Sequence, residues 1–314
     1  MLSSNNKCKT CDSFITTLLL MIYAVAIINA SPINVDKSRF DSFLVFGDSY
    51  SDTGNSYNLT NHTWPLPVYF KGRFSNGPIW VEYLATKLNL TLKNYAFGGA
   101  TVDSNLTQGF TGANFNVSVP GIVQQVDTYV ATLPADAKTQ KTLVSIWSVG
   151  NDYLDTNYTV DPQKVVDRLS KAWTTLYKKN LRNFIIPNVG DFSHLPFNKN
   201  ASKELLQKAQ DVHVKHNFYL QKAVQSFVDT YPDVVVWNVS VDLFNIGLQT
   251  APQSLTGLSD FVDPCFILST GTVCPDPTTH SFWDQFHPTT QVHKDFADAI
   301  DSFFANATPS LINL

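Results

Sequence analysis

Short runs of β-branched and aromatic residues alternate along the chain with longer amphipathic stretches. The predicted strands are Ser42–Phe46, Thr91–Ala96, Leu143–Val149, Asn183–Pro187 and Asp233–Val239. The stretches with helical spacing begin at Asn76-Gly77-Pro78 and then cover roughly 120–132, 161–179, 200–230 and 289–305. Strands that alternate with helices indicate a parallel sheet covered on both faces. We therefore predict one three-layer α/β/α domain with a mostly parallel five-stranded sheet.

The N-terminus has the pattern of a secretory signal peptide. Lys7 and Lys9 precede an uncharged, mostly apolar stretch over 14–28, and a small residue, Ala30, follows it. This order predicts cleavage after Ala30, which leaves 31–314 as the mature domain. The alternative is a retained anchor, but a spanning helix needs about 20 apolar residues, more than this run supplies. We therefore expect a secreted protein without stable membrane insertion once the signal is removed.

Sequons and cysteines agree with export. Nine Asn-X-Ser/Thr sequons follow the signal, at Asn58, Asn61, Asn89, Asn105, Asn116, Asn157, Asn200, Asn238 and Asn306. Such a set is typical of a glycosylated surface. Cys8 and Cys11 leave with the signal, and the remaining pair, Cys265 and Cys274, predicts one disulfide. The alternative is zinc binding by the same two residues, but no further ligands stand at a recognised spacing, so no metal is predicted.

Charge and composition narrow the choice of partners. The formal net charge of −4 and the absence of a basic stripe argue against nucleic-acid binding. No repeat or linker divides the chain, and a monomer is expected. The polar segments Asn58–Pro67 and Thr101–Pro120 are predicted to be surface loops, which are either functional or tolerated glycosylated insertions.

Chemically useful residues directly follow three of the predicted strands. Ser49 follows the first strand, Gly98-Gly99 the second and Asn151 the third. In open parallel sheets, ligands bind outside the carboxyl ends of the strands. A nucleophile, a glycine-rich turn and an amide are therefore expected on one rim. On chemistry alone, Ser51 is a rival nucleophile, and Gly98 is a rival oxyanion donor to Gly99.

Acyl transfer also needs a base and a group that orients it. His287 is the best candidate, because Asp284 three residues earlier can reach its ring on a tight turn. We interpret His213 and His216, spaced i, i+3 on a polar helix, as residues of the solvated face. The other histidines, which lack a comparable carboxylate, are His62, His194, His280 and His293.

Four blocks in this order resemble the GDSL esterase/lipase family, also called the SGNH hydrolases. The blocks are Phe46–Asn55, Asn94–Gly99, Gly150–Asp152 and Asp284-x-x-His287-Pro288. The stretch Gly72–Pro78 is similar to one in secreted fungal and bacterial members, which suggests a secreted fungal-type member. One departure from the family pattern is Tyr50, which stands where the family name has Leu. No Gly-x-Ser-x-Gly elbow or Gly-x-Gly-x-x-Gly turn supports an α/β-hydrolase or a dinucleotide-binding fold.

The resemblance implies a flavodoxin-like fold and hydrolysis of carboxylic esters without a cofactor. It places the nucleophile on Ser49, the acid–base pair on Asp284 and His287, and the oxyanion donors on Ser49, Gly99 and Asn151. The first substrate hypothesis is a lipase or phospholipase-like acyl hydrolase, and the second is a carbohydrate acetylesterase. A third hypothesis, a catalytically inactive carbohydrate-binding module, is disfavoured by the intact set of residues. Because the predicted rim loops are polar and carry sequons, we expect a water-exposed cleft that prefers acetyl to butyryl esters.

Overall fold

The computed structural model describes residues 40–306 and 312–313, so the predicted signal segment lies outside the described residues. The strands are β1 (Ser42–Gly47), β2 (Thr91–Asn94), β3 (Gly109–Thr111), β4 (Val117–Val119), β5 (Thr142–Trp147), β6 (Asn183–Pro187), β7 (Val235–Val239), β8 (Asp260–Pro264), β9 (Phe266–Ile267), β10 (Thr272–Val273), β11 (His280–Phe282) and β12 (Ile312–Asn313). The helices are α1 (Asn55–Leu59), α2 (Trp80–Leu88), α3 (Ile122–Thr132), α4 (Asn151–Leu154), α5 (Pro162–Lys178), α6 (Lys203–Thr230), α7 (Val241–Thr250), α8 (Gln253–Thr256) and α9 (Thr290–Asn306).

The central sheet has the order β12-β7-β6-β5-β1-β2, and all its pairings are parallel. Without the two-residue β12, the five main strands run 2-1-3-4-5 in chain order, which is the flavodoxin-like order. The predicted α/β/α class and five-stranded parallel sheet are confirmed. Chain order reverses between β1 and β5, and this switch point is where such sheets bind ligands.

Alternate residues of each strand fill two separate cores, as the period of two requires. Leu44 and Phe46 of β1 pack with α3, α5 and α6 on one face of the sheet. Phe43 and Val45 pack with α2 and α9 on the other face. The sheet is therefore buried on both sides, and only its edges and rim are available for function.

Several helices begin where their side chains can cap free backbone N–H groups. Asp161 accepts from the N–H of Gln163 at the start of α5, and Ser202 accepts from Leu205 at the start of α6. Helix α2 begins at Trp80, two residues later than predicted.

The predicted loop Thr101–Pro120 is only partly irregular. It contains an antiparallel hairpin of β3 and β4, with Phe110 opposite Ser118. Sequence analysis also missed α7, which follows β7 directly and is apolar on several faces. Both elements reach the rim of the sheet and change the character of the site described below.

Candidate active site at the carboxyl ends of the strands

Ser49 lies in a tight turn immediately after β1, at the switch point of the sheet. Gln125 of α3 fixes the end of β1, because its amide accepts from the N–H of Gly47 at 3.0 Å and donates to the Gly47 carbonyl at 2.9 Å. A Cβ on Gly47 would lie 2.7 Å from the Trp147 carbonyl, so only glycine allows β1 to run this close to β5. The position of the Ser49 turn is therefore set by backbone contacts on both sides.

Asp48 ties the Ser49 turn to the loop after β5. Its carboxylate accepts from the N–H of Tyr50 at 3.2 Å and from the N–H of Val149 at 2.7 Å. Complete burial raises the pKa of Asp48 to about 7, although these N–H groups and His287 act in the opposite direction. Asp48 is thus a structural link rather than a solvent-exposed acid.

The structure separates the two serines of the first block. Ser51 is fully buried, and its hydroxyl accepts a hydrogen bond from the indole N–H of Trp80 at 3.1 Å. Ser49 lines the large cavity at the rim. Its Oγ makes no hydrogen bond with any residue that the structure describes, His287 included. Such contacts are often long in unliganded enzymes and shorten when the substrate binds.

The backbone N–H groups of Gly98 and Gly99 differ, because the first is hydrogen-bonded within the fold and the second is free. The N–H of Gly98 donates to Asp52 at 2.8 Å and to Ser56 at 2.7 Å, so it is committed to the fold. No hydrogen bond within residues 40–306 uses the N–H of Gly99 or of Ser49. Gly99 has φ of +84°, and a Cβ there would lie 1.9 Å from the Phe110 carbonyl. Between the two glycines, Gly99 is the one with an available donor.

Asn151 begins α4 at the end of the loop after β5. Its side-chain amide donates to the Ala100 carbonyl at 2.8 Å, which leaves its second N–H for a ligand. The next residue, Asp152, accepts from the N–H of Val102 at 2.9 Å, and burial raises its pKa to about 7. These two bonds hold the third block against the Gly99 turn.

His287 and Asp284 form a close pair. The Nδ1 atom of His287 lies 2.7 and 2.9 Å from the two carboxylate oxygens of Asp284. The hydroxyl of Tyr69 donates to Asp284 Oδ2 at 2.6 Å, and the N–H groups of Phe286 and His287 each donate to Oδ1 at 2.8 Å. With Nδ1 occupied, Nε2 is the ring nitrogen of His287 that remains for proton transfer.

Burial by itself would raise the pKa of Asp284. The charge of His287 and the hydrogen bonds from His287, Tyr69 and the backbone outweigh burial, so that the pKa of Asp284 is lower than usual. Asp284 therefore stays ionised beside the imidazole, as the orienting member of such a pair must.

The block Gly72–Pro78 packs against His287 and the residues that follow it. The sequence indicated this block only through its resemblance to secreted members of the family. The ring of Phe74 lies 5.2 Å from the His287 ring, and the Ser75 hydroxyl donates to the Pro288 carbonyl at 2.9 Å. The side chain of Asn76 accepts from the N–H of Thr290 at 2.8 Å and anchors the first turn of α9. Phe74 also packs over Gly98, where a Cβ would lie 2.2 Å from its ring.

All five predicted site residues line one cavity of about 650 Å³. We call the group Ser49, Gly99, Asn151, Asp284 and His287 the Ser49 end of the cavity. Most of the remaining wall is apolar, and much of it comes from segments predicted to be polar loops or not predicted at all. These side chains include Trp64, Phe110, Phe115, Phe244, Ile246 and Leu248. The lining is therefore more apolar than the sequence indicated, although Phe110, Phe115 and Ile246 are exposed to solvent, in keeping with a water-exposed cleft.

The two histidines of α6 do not lie on a solvated face. His216 is buried, its Nδ1 lies 2.6 Å from the Tyr153 hydroxyl, and burial lowers its pKa to about 3. His213 is partly buried, and its Nε2 lies 3.0 Å from both carboxylate oxygens of Asp242. The interpretation of both as surface residues is wrong, because α6 packs along α5 and crosses the rim. His213 and Asp242 line the same cavity as Ser49.

Cys265 and Cys274 are joined by a disulfide, which decides against the zinc alternative at this pair. The loop that they close reaches the Ser49 end through the backbone. The N–H of Cys265 donates to the Phe282 carbonyl, and the N–H of Phe266 donates to the Trp283 carbonyl, directly before Asp284.

The structure sorts the sequons by accessibility. Seven of them have exposed asparagines: Asn58, Asn61, Asn89, Asn105, Asn116, Asn157 and Asn200. Asn238 lies within β7, between β6 and β12, and is half-buried. The side chain of Asn306 lies outside the described residues. No helix within the described ranges has both the length and the apolar character needed to cross a bilayer.

The chain was also compared with known protein families and with curated proteins. A family model described as GDSL-like Lipase/Acylhydrolase matches residues 43–300. The chain is 27% identical over 281 residues to the thermolabile hemolysin of Vibrio parahaemolyticus serotype O3:K6, covering 84% of this chain and 64% of the hemolysin. It therefore spans slightly less than two thirds of that relative's length.

Two other relatives are matched over most of their length. The phosphatidylcholine-sterol acyltransferase of Aeromonas hydrophila is 26% identical over 321 residues, with 85% of this chain and 91% of the acyltransferase covered. Acetylajmalan esterase 2 of Rauvolfia serpentina is 26% identical over 322 residues, with 81% and 88% covered.

Proposed function

The chain belongs to the GDSL-like lipase/acylhydrolase family, a family of carboxylic ester hydrolases, and we propose that it is a serine hydrolase of medium- to long-chain acyl esters. Ser49 is the nucleophile, and His287 with Asp284 is the acid–base pair. The backbone N–H groups of Ser49 and Gly99 and the amide of Asn151 bind the oxyanion. The observation that carries this proposal is the hydrogen-bonded His287–Asp284 pair, which lines one cavity together with Ser49, Gly99 and Asn151.

In the proposed reaction, His287 Nε2 takes the proton of the Ser49 hydroxyl as Oγ attacks the ester carbonyl carbon. The carbonyl oxygen becomes an oxyanion that accepts from the free N–H donors, and Asp284 stabilises the imidazolium. The imidazolium then protonates the departing alkoxide, which leaves as the alcohol, and Ser49 carries the acyl group. Water, deprotonated by the same Nε2, attacks the acyl-enzyme and releases the carboxylic acid.

The wall of the cavity supports the acyl preference. Its volume of about 650 Å³ lies within the range of small-molecule sites, and its lining is mostly apolar. Each methylene that leaves water for such a wall contributes up to about 0.8 kcal/mol, so affinity grows with chain length until the cavity is full. Short acyl groups would leave most of this wall unused.

One relative points in the same direction, whereas the name of acetylajmalan esterase 2 indicates an acetyl ester as its substrate. The name of the Aeromonas acyltransferase indicates that it transfers acyl groups of phosphatidylcholine to a sterol, and this chain covers 91% of its length. We propose a lipid ester as the substrate class for this chain as well. Acetylated carbohydrate, the other substrate class suggested by the sequence, is the alternative that the experiment below tests.

A series of nitrophenyl esters from C2 to C16 tests the proposal on the full mature chain. We expect kcat/KM to rise steeply from acetyl to about the decanoyl ester, by up to about fourfold per methylene. Ser49→Ala should abolish turnover of every ester, and Ser51→Ala is the matched serine control. Best activity on acetyl esters or acetylated xylan would reverse the acyl assignment. Ligand binding without turnover of any ester would instead support the binding-module hypothesis.

We also propose that the protein is exported as a glycosylated monomer of residues 31–314. Seven exposed sequons and the disulfide support this, since both features belong to the secretory environment. N-terminal sequencing of the protein recovered from culture medium should begin at Ser31. Removal of N-glycans should shift its mass, and an intact N-terminus on an unglycosylated intracellular chain would contradict the proposal. A fungal origin remains a prediction from the sequence resemblance alone.

A further inference from the structure

The cavity has a second polar region away from Ser49, built around His213 and Asp242. His213 is on α6, and Asp242 is in the first turn of α7, immediately after β7. Asn217, one turn further along α6, donates to Asp242 Oδ2 at 3.3 Å, and its amide also bonds the backbone N–H and carbonyl of Val189. The pair is therefore held in place by three segments of the fold.

Several polar groups in this region have hydrogen-bonding capacity to spare. His213 uses Nε2 for Asp242, and its Nδ1 makes no hydrogen bond within residues 40–306. The side chain of Asn245 also has no hydrogen-bond partner among residues 40–306. Asp191 accepts at Oδ1 from the N–H of Ser193, which leaves Oδ2. We call Asp191, His213, Asp242 and Asn245 the His213 end of the cavity, which all four line.

The two ends are separated along the rim of the sheet. Asp191 follows β6 and Asp242 follows β7, which lie two and three strands from β1. At about 4.8 Å per strand, this places the His213 end roughly 10–14 Å from Ser49. Apolar side chains such as Val149, Phe192 and Phe244 line the cavity as well. An extended acyl chain of about ten carbons would cover this distance.

The charges of the His213 end select the kind of group that it can take. Two carboxylates face one imidazole, so the region is not positive even when His213 is protonated. Burial lowers the pKa of His213, but hydrogen bonding to Asp242 and the charges of Asp242 and Asp191 raise it above its ordinary value. An anion is therefore disfavoured, and a methyl terminus would leave polar groups without partners. A neutral group that both donates and accepts hydrogen bonds satisfies the region best.

We propose that the His213 end is a specificity site that binds a hydroxyl group of the ester substrate. The hydroxyl donates to Asp191 and accepts from the amide of Asn245 or from the Nδ1–H of His213. It is carried either at the far end of the acyl chain or on the alcohol moiety. This inference rests on the proposed function, because it takes Ser49 as the reacting group at the other end of the cavity.

Paired substrates test the proposal. The first pair is the nitrophenyl esters of decanoic and 10-hydroxydecanoic acid, and the second is ethyl decanoate and glycerol monodecanoate. We expect the hydroxylated member of one pair to be preferred by about tenfold in kcat/KM, through KM. A preference in the first pair places the hydroxyl on the acyl chain, and one in the second pair places it on the alcohol.

Two variants on different helices link that preference to the site. His213→Gln retains a donor for Asp242 and removes Nδ1, and Asn245→Ala removes the amide. Each should reduce the hydroxyl preference to about threefold or less by raising KM for the hydroxylated ester, with kcat little changed. Lys222→Gln, an exposed position on α6 that does not line the cavity, is the matched control and should keep the full preference.

The failure of this inference is distinguishable from failure of the proposed function. If wild-type enzyme hydrolyses decanoyl esters in a Ser49-dependent way but prefers neither hydroxylated member, the specificity site is wrong and the hydrolase stands. The specificity site is also wrong if both variants fold, as judged by thermal unfolding, and keep the wild-type preference. If no ester is hydrolysed, the proposed function itself has failed, and the inference falls with it.

Discussion

The cavity contains two histidine–aspartate pairs, and their differences separate a candidate for chemistry from a candidate for recognition. At the Ser49 end, His287 bonds its aspartate through Nδ1, and three further donors reach that aspartate. At the His213 end, the histidine bonds its aspartate through Nε2, and a single amide supports the pair. Asp284 is buried, whereas the side chain of Asp242 is 33% exposed.

Proximity of an imidazole and a carboxylate is therefore not enough to identify a base. His287 keeps Nε2 free and lines the same cavity as Ser49 and Gly99, whose N–H groups no other described residue uses. His213 has the carboxylates of Asp242 and Asp191 near it, and its bond to Asp242 occupies Nε2. We therefore propose proton transfer for the pair at the Ser49 end and hydrogen bonding to substrate for the pair at the His213 end.

The largest expected effect comes from making the same substitution in both histidines. His287→Gln should reduce kcat on the decanoyl ester by about 10⁴-fold, since it removes the proposed base for the Ser49 proton. His213→Gln should change that kcat by less than about threefold, because it acts on recognition. Steady-state kinetics of the two variants measure this difference. Equal losses of kcat would break the distinction between the two ends.

The two amides should differ in the kinetic parameter that they change. Asn151→Ala should lower kcat by about a hundredfold with little change in KM, because its free N–H serves the oxyanion of the transition state. Asn245→Ala should act on KM and only toward hydroxylated esters. A raised KM with an intact kcat in Asn151→Ala would make that residue a substrate-positioning group.

Asp284 accepts a hydrogen bond from the hydroxyl of Tyr69, a kind of donor that Asp242 lacks among the described residues. Tyr69→Phe removes one donor from the Asp284 carboxylate, which raises the pKa of Asp284 toward its ordinary value and strengthens its attraction for the His287 imidazolium. The acid limb of kcat/KM against pH should therefore move up by about 0.5–1 pH unit, with a loss of activity of up to about tenfold on that limb.

The lowered pKa of Asp284 also determines how the stability of the folded protein changes with pH. A lowered carboxyl pKa stabilises the folded protein above the ordinary value near 4 and loses that contribution as pH falls through the folded value. Tyr69→Phe should therefore narrow the stability difference between neutral and acidic pH. A pH profile that coincides with wild type would show that Tyr69 packs without positioning Asp284.

The smallest effect concerns the disulfide, whose loop reaches the Ser49 end through backbone hydrogen bonds. Reduction of Cys265–Cys274 should lower the free energy of unfolding by about 2.5–3 kcal/mol. The loop also donates to the carbonyls of Phe282 and Trp283, so kcat should fall a few-fold before the protein unfolds. Activity and circular dichroism followed together under a reducing titration test this order. A simultaneous loss of both signals would assign the disulfide to stability alone.

The sequence predicted the Ser49 end because its parts are local. Asp284 and His287 are three residues apart, and Ser49, Gly99 and Asn151 each follow a strand at the same rim. The carboxyl ends of parallel strands bring them to one rim, but the choice of Ser49 over Ser51 and of Gly99 over Gly98 came from the family resemblance. The α/β/α class was predictable for the same reason, since each strand and helix has its own apolar period.

The His213 end, the bond from Tyr69 and the apolar cavity wall could not be predicted, because each depends on contacts between distant segments of the chain. His213 and Asp242 are 29 residues apart, and Tyr69 is 215 residues from Asp284. No local pattern brings such pairs together. The apolar wall was missed because Phe110 and Phe115 stand in a polar segment that folds as a hairpin over the cavity. A helix face could not be assigned to His216 without knowing that Tyr153 packs against it.

Covalent labelling shows directly whether Ser49 is the nucleophile activated by His287. The folded enzyme is incubated with an alkyl fluorophosphonate, and the adduct is located by peptide mass spectrometry. We expect one adduct per chain, on Ser49, with labelling abolished by Ser49→Ala and strongly slowed by His287→Gln. An adduct on Ser51 or another serine, or undiminished labelling of Ser49→Ala, would contradict the assignment.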